Sequence, residues 1–227
     1  MSKTTKSTST NASNKTSNSK ANTNTASHDF APDDPRIESM PFPPLLPTNA
    51  TVMLMGTFPP ATDKRAMQFH YPNFQNDMWR VYGMLFFNDK EHFRKGEEKA
   101  FDADKIKTFL REKGIASCPT VWKAIREHGN ASDAFLTVVE PVHIHEVLDQ
   151  LPDCRAIGTT GGKATEVLLS LADNPPKLPK TGETVELHFG ERTIQLTRLP
   201  STSRAYPLSL DKKAAAYKGF FRQAGLI

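Results

Sequence analysis

Apolar and polar positions follow two rhythms along this chain, and the change from one to the other marks out its elements. Short apolar runs closed by Gly, Pro or Ser predict buried strands at residues 51–55, 154–158, 185–189 and 193–199. Apolar residues at helical spacing predict helices instead. Met78, Val81, Tyr82 and Leu85 do so across 78–87, and Ile106, Phe109 and Leu110 across 104–113. Further helices are expected at 144–151, barred from extension by Pro152, at 163–171 and at 212–221. Residues 121–128 predict a short helix stopped by Gly129-Asn130. Strands that alternate with helices give an α/β class, a three-layer α/β/α sandwich around a mainly parallel sheet of about four strands.

Composition divides the chain. Residues 1–28 are nearly all Ser, Thr, Asn, Ala and Lys without an aromatic, a mixture that cannot offset the entropy of ordering, so a disordered basic tail is expected. One folded domain is expected over residues 29–227. The tail carries Lys3, Lys6, Lys15 and Lys20 and no acid; without these four, the 29 Lys+Arg become 25, equal to the 25 Asp+Glu. The body is formally neutral and shows no global footprint for a polyanion. Cys118 and Cys154 lack the spacing of a metal site or a disulfide scaffold, so no metal is expected and the chemistry fits a reduced, cytoplasmic setting. No stretch approaches the roughly 18 apolar residues of a membrane span, and the amino-terminal segment lacks a signal-peptide core.

The candidate chemistry sits in loops after predicted strands, which share one rim in an open α/β sheet. Gly56-Thr57-Phe58-Pro59-Pro60 permits close backbone approach and stiffens it, although many strand ends carry Gly and Pro only as turn formers. Residues 69–76, Phe-His-Tyr-Pro-Asn-Phe-Gln-Asn, gather rings and amides that can sandwich a planar base and read its edge. His70 could polarise a base carbonyl or be a surface imidazole. Asp133 is the remaining carboxylate for positioning water, or it caps the segment that begins at Ala134. Arg198, Arg204, Lys212 and Lys213 supply local positive charge, and a solvated helix face accounts equally for the two lysines.

Three motifs in order resemble the uracil-DNA glycosylase superfamily, nearest its hypoxanthine-DNA glycosylase-like and mismatch-specific branch. They are Gly56-Thr57-Phe58-Pro59, an aromatic five residues before Asn76-Asp77-Met78-Trp79, and Leu199-Pro200-Ser201-Thr202-Ser203, all within residues 51–221. The resemblance implies a monofunctional DNA N-glycosylase that removes uracil or hypoxanthine by base flipping, works as a monomer on DNA and needs no cofactor. It places Gly56, Thr57, Phe58 and Pro59 near the sugar and base, Tyr71 in the stacking position and Asn76 at the pocket floor as a catalytic group beside Asp133. Pro200, Ser201 and Ser203 would press on the DNA backbone, Arg204 and Tyr206 would enter the minor groove, and Thr160 with Gly161 would meet phosphate. Departures also count. Phe58 stands where better-known members carry Asp or Asn, Leu199 where they carry His or Asn, and Pro119 near a usual acid. Those departures favour a silent member of the fold that binds nucleic acid or a nucleotide. An α/β protein for a phosphorylated metabolite is a third reading, because Thr159-Thr160-Gly161-Gly162-Lys163 suits phosphate but lacks the P-loop and dinucleotide spacings.

Overall fold

The computed structural model describes residues 1, 30–31, 33–127 and 135–227. The expected tail at 2–28, the stop at Gly129-Asn130 and Asp133 lie outside them. The chain runs β1 (Ile37–Ser39), β2 (Val52–Gly56), α1 (Met78–Phe87), α2 (Ala103–Lys113), β3 (Ile115–Pro119), β4 (Val121–Arg126), β5 (Leu136–Pro141), α3 (Ile144–Asp149), β6 (Ala156–Thr160), α4 (Gly162–Leu169), β7 (Thr184–Phe189), β8 (Arg192–Leu199) and α5 (Leu210–Gln223).

Five strands form the central sheet in the order β3-β2-β6-β8-β7. The first four are mutually parallel and β7 is antiparallel at the edge. Both faces are covered, which explains why β2 reads as an unbroken apolar run. Val52 and Leu54 point into a core shared with α1, α2 and α5, while Met53 and Met55 point into the opposite core with α3 and α4. Helix α2 starts where the Asp102 carboxylate caps the amides of Asp104 and Lys105, and it ends at Gly114 in the left-handed region (φ 64°). Helix α5 starts on the Ser209 hydroxyl, which accepts from the Lys212 amide.

The helix expected at 121–128 is corrected to strand β4. It pairs antiparallel with β1 and β5 in a second, three-stranded sheet. Val121, Ala124 and Ile125 suit a helical face by spacing alone, but Val, Trp and Ile also suit a pleated surface, and ladder bonds on both sides decide between them. Strand β3 is buried throughout like β2, but its sequence Ile-Ala-Ser-Cys-Pro is too small and mixed to read as an apolar run.

The register sets the site. Gly56 pairs with Pro119 and Thr160 with Leu199, so the carboxyl ends of four parallel strands finish on one rim. From β2 the chain goes to β3 on one side and later to β6 on the other, so a topological switch point lies between β2 and β6. Such crevices bind ligands in open α/β sheets.

Candidate functional site

Above that rim opens a cavity of about 800 Å3 lined by the loops after β2 and β8, by the carboxyl ends of β3 and β6 and by the segment 70–76. Its size suits a base with its sugar. Gly56, Thr57, Phe58, Pro59, His70, Tyr71, Asn76, Thr160, Ser201, Ser203, Arg204 and Tyr206 all line it. Gly161 and Pro200 stand behind the wall: a Cβ on Gly161 would lie 3.6 Å from that of Ser201, and the Pro200 carbonyl accepts from Tyr217 Oη (3.1 Å).

Tyr71 spans the switch point. Its hydroxyl meets Thr160 Oγ1 at 3.1 Å, and its ring lies so close over Gly56 that a Cβ there would approach Oη to 2.9 Å. Any side chain at 56 would have to push the Tyr71 ring aside. Tyr71 itself holds a left-handed backbone (φ 52°), an uncommon state for an aromatic residue and one that ligand sites often stabilise.

Asn76 is fixed on three sides. Its Oδ1 accepts from the Met78 amide (2.9 Å), its backbone carbonyl accepts from Arg80 (3.2 Å), and its own amide donates to Asn73 O (2.8 Å). With Oδ1 committed, the side chain has its NH2 left to offer, a donor for a carbonyl or a developing anion. Arg80 is itself held, 4.5 Å over the Phe74 ring and 5.0 Å over that of Phe101.

The first loop is stiffened from outside. Arg126 donates to Pro59 O at 2.8 Å while gripping Glu38 in bidentate fashion, and Arg65 donates to Pro60 O at 2.8 Å. Phe58 leans on Val121, Ala124, Leu136 and Val167, with the Arg126 guanidinium 5.8 Å from its ring. It fills space rather than positioning water.

His70 is buried, only 5% exposed, which removes the surface reading. Its Nδ1 is 2.7 Å from Ser117 Oγ. Burial lowers its pKa to about 4, although the Phe42 and Pro43 carbonyls pull the other way without giving Nε2 a well-formed hydrogen bond. The ring is neutral at pH 7. Cys118 also lines the wall, but burial raises its thiol pKa far above the ordinary value, so it is no thiolate nucleophile. Leu199 is buried against Gly158. Among the described residues no Asp, Glu or Lys lines the cavity, and no group of three potential metal ligands occurs.

The loop after β8 is tied down by charges, of which sequence reading missed the buried Lys213. Lys213 is 1% exposed, not on a solvated face: its Nζ donates to Asp77 Oδ2 (2.8 Å) and to Ser203 O (2.8 Å). Arg204 Nε reaches Asp77 Oδ1 at 3.4 Å, and the Asp77 amide donates to Thr202 O at 2.9 Å. A signal existed, since Lys213 sits four and seven residues before Tyr217 and Phe220 on the apolar stripe of α5. A lysine there needs a buried partner. Ser117 and Met40 were also missed, because neither stands in a motif. Thr159 had been grouped with the phosphate candidates, but its hydroxyl is buried and paired with that of Thr165 (2.8 Å).

No known family model matches the chain, and no curated protein matches it. Among solved structures it is similar to the solution NMR structure of a protein from Methanosarcina acetivorans provisionally named a uracil DNA glycosylase. The TM-score is 0.57 with 20% identity, over 83% of this chain and 99% of that one. The two share a fold: a central, mainly parallel five-stranded sheet flanked by helices.

Proposed function

We propose that this protein is a DNA glycosylase that takes a deaminated base, uracil or hypoxanthine, out of the duplex and hydrolyses its N-glycosidic bond. The observation that carries this reading is Asn76. Its amide is held by the Met78 amide at the floor of a cavity that also presents the Tyr71 ring and is bordered by a loop bearing Arg204. The fold shared with the Methanosarcina protein supports it. A preorganised NH2 donor stabilises charge building on the departing base and costs no reorganisation. In this reading bond breaking leads and water follows, the sugar passing through an oxocarbenium-like state that the donor at Asn76 favours by holding the departing base's charge. Phe58 and Leu199, both turned into packing, support a second reading: a catalytically silent member of the fold that binds the flipped nucleotide.

Oligonucleotides carrying uracil, hypoxanthine, xanthine or a mismatched thymine separate the two. An enzyme leaves an abasic site in at least one of them. Asn76→Ala then slows single-turnover cleavage by roughly 100- to 1,000-fold with little change in duplex affinity, because the lost interaction belongs to the transition state. Binding without cleavage in every duplex rejects the enzyme and leaves the silent binder.

A further inference from the structure

Beside the base cavity lies a second hollow of about 420 Å3, and Arg204 lines both. Four cations face it, Arg80, Lys90, Arg204 and Lys213, against two carboxylates, Asp77 and Glu91. The surplus is not uniform. Asp77 is neutralised from two sides by Lys213 and Arg204, and Glu91 lies 3.7 Å from Arg80. Two positive groups keep free valence. Lys90 is exposed and makes no ion pair among the described residues. Arg204 is anchored to Asp77 through Nε, and among the described residues its two terminal amines make no hydrogen bond, which leaves the half-exposed guanidinium a planar fork to offer. Arg80 feels the crowding: burial first, and Arg204 next, depress its guanidinium below the ordinary value.

We infer that this hollow is a subsite for a DNA backbone phosphate beside the flipped nucleotide, with Lys90 and the Arg204 fork as its donors. The inference rests on the glycosylase reading of the neighbouring cavity and adds to it a contact from the segment after α1, outside all three sequence motifs. A phosphodiester is a single negative charge with two free oxygens, which suits one fork and one ammonium. The Asp77–Lys213 pair serves as the rigid floor. It holds Arg204 by its inner nitrogen, and the entropy of ordering that long side chain is largely met before DNA arrives.

The test is duplex binding across a salt series with Lys90→Ala, on target-base and undamaged duplexes. The variant should weaken both by the same factor, flatten the slope of log affinity on log salt by about one, and leave the single-turnover rate on saturating substrate unchanged. Lys90→Arg should restore the slope, and equal melting temperatures exclude unfolding at this exposed position. A wild-type slope in Lys90→Ala overturns the inference. Inorganic phosphate at matched ionic strength identifies the source of the anion. If phosphate displaces wild-type protein from duplex no better than chloride does, the subsite is for the DNA backbone; a phosphate-specific effect that disappears in Lys90→Ala without a slope change assigns it to a free anion and overturns the inference. If the wild-type protein binds no duplex, the glycosylase reading falls as well, an outcome distinct from wild-type binding with an unaffected Lys90→Ala slope.

Discussion

His70 shows how a residue that looks reactive in the sequence becomes a wall. Stacked 4.6 Å from Phe69 and bonded to Ser117, it lends the cavity shape and a neutral polar edge. Its titration has a consequence for stability. The folded value of about 4 lies below the ordinary 6.5, so as pH falls the unfolded chain takes the proton first. The contribution is complete above about 6.5 and drains away towards 4, about 2 kcal/mol at pH 5. Urea unfolding at pH 7 and pH 5 checks this against His70→Gln, whose loss over the same interval should be smaller by that amount. Equal losses would mean that the imidazole is already protonated in the fold. The same burial explains why residue-level reading was incomplete. Position 70 stood among candidate rings and amides, but only the approach of β3, with Ser117, decides which of them face the ligand.

Among the elements, those with a strong rhythm were legible. Residues 78–87 and 104–113 carry helical spacing, and α1 and α2 occupy them almost residue for residue. Residues 121–126 carry an ambiguous pattern that only pairing resolves, and the three-residue β1 is too short to announce itself. The Asp77–Lys213 pair joins two elements whose relation the sequence hides. It fixes the 201–204 turn to the start of α1, one residue from Asn76, so the candidate catalytic amide and the loop after β8 share one anchor. A buried pair adds little net stability but is costly to break from one side. Lys213→Met alone should therefore cost about 3–5 kcal/mol in denaturant unfolding, since it strands the Asp77 charge. Adding Asp77→Asn should return a large part of that loss, because the stranded charge disappears. A double variant no more stable than Lys213→Met would show that the lysine matters through packing alone.

At the scale of the whole molecule the distribution of charge is the lesson. The body balances 25 basic against 25 acidic residues, so attraction to DNA cannot come from its net charge. For the proposed activity it would come from local groups such as Arg204 and Lys90, whose neighbours are paired off around them, and from residues 1–28, which hold all four surplus positive charges. These two sources differ in what they recognise. Groups beside the cavity would act at fixed positions, whereas four lysines spread through a Ser/Thr/Asn-rich segment would add attraction that is blind to the base. Deleting residues 1–28 should therefore weaken target and undamaged duplexes by the same factor and flatten the salt slope by at most about 4, one unit for each lysine. Single-turnover cleavage at saturating protein should not change, because no residue of the cavity has been removed. Affinity measured across a salt series on both duplexes, with the cleavage rate taken in parallel, checks each part. A truncated protein that lost rate at saturation, or lost affinity only for the target duplex, would place the tail within the recognition of the flipped base.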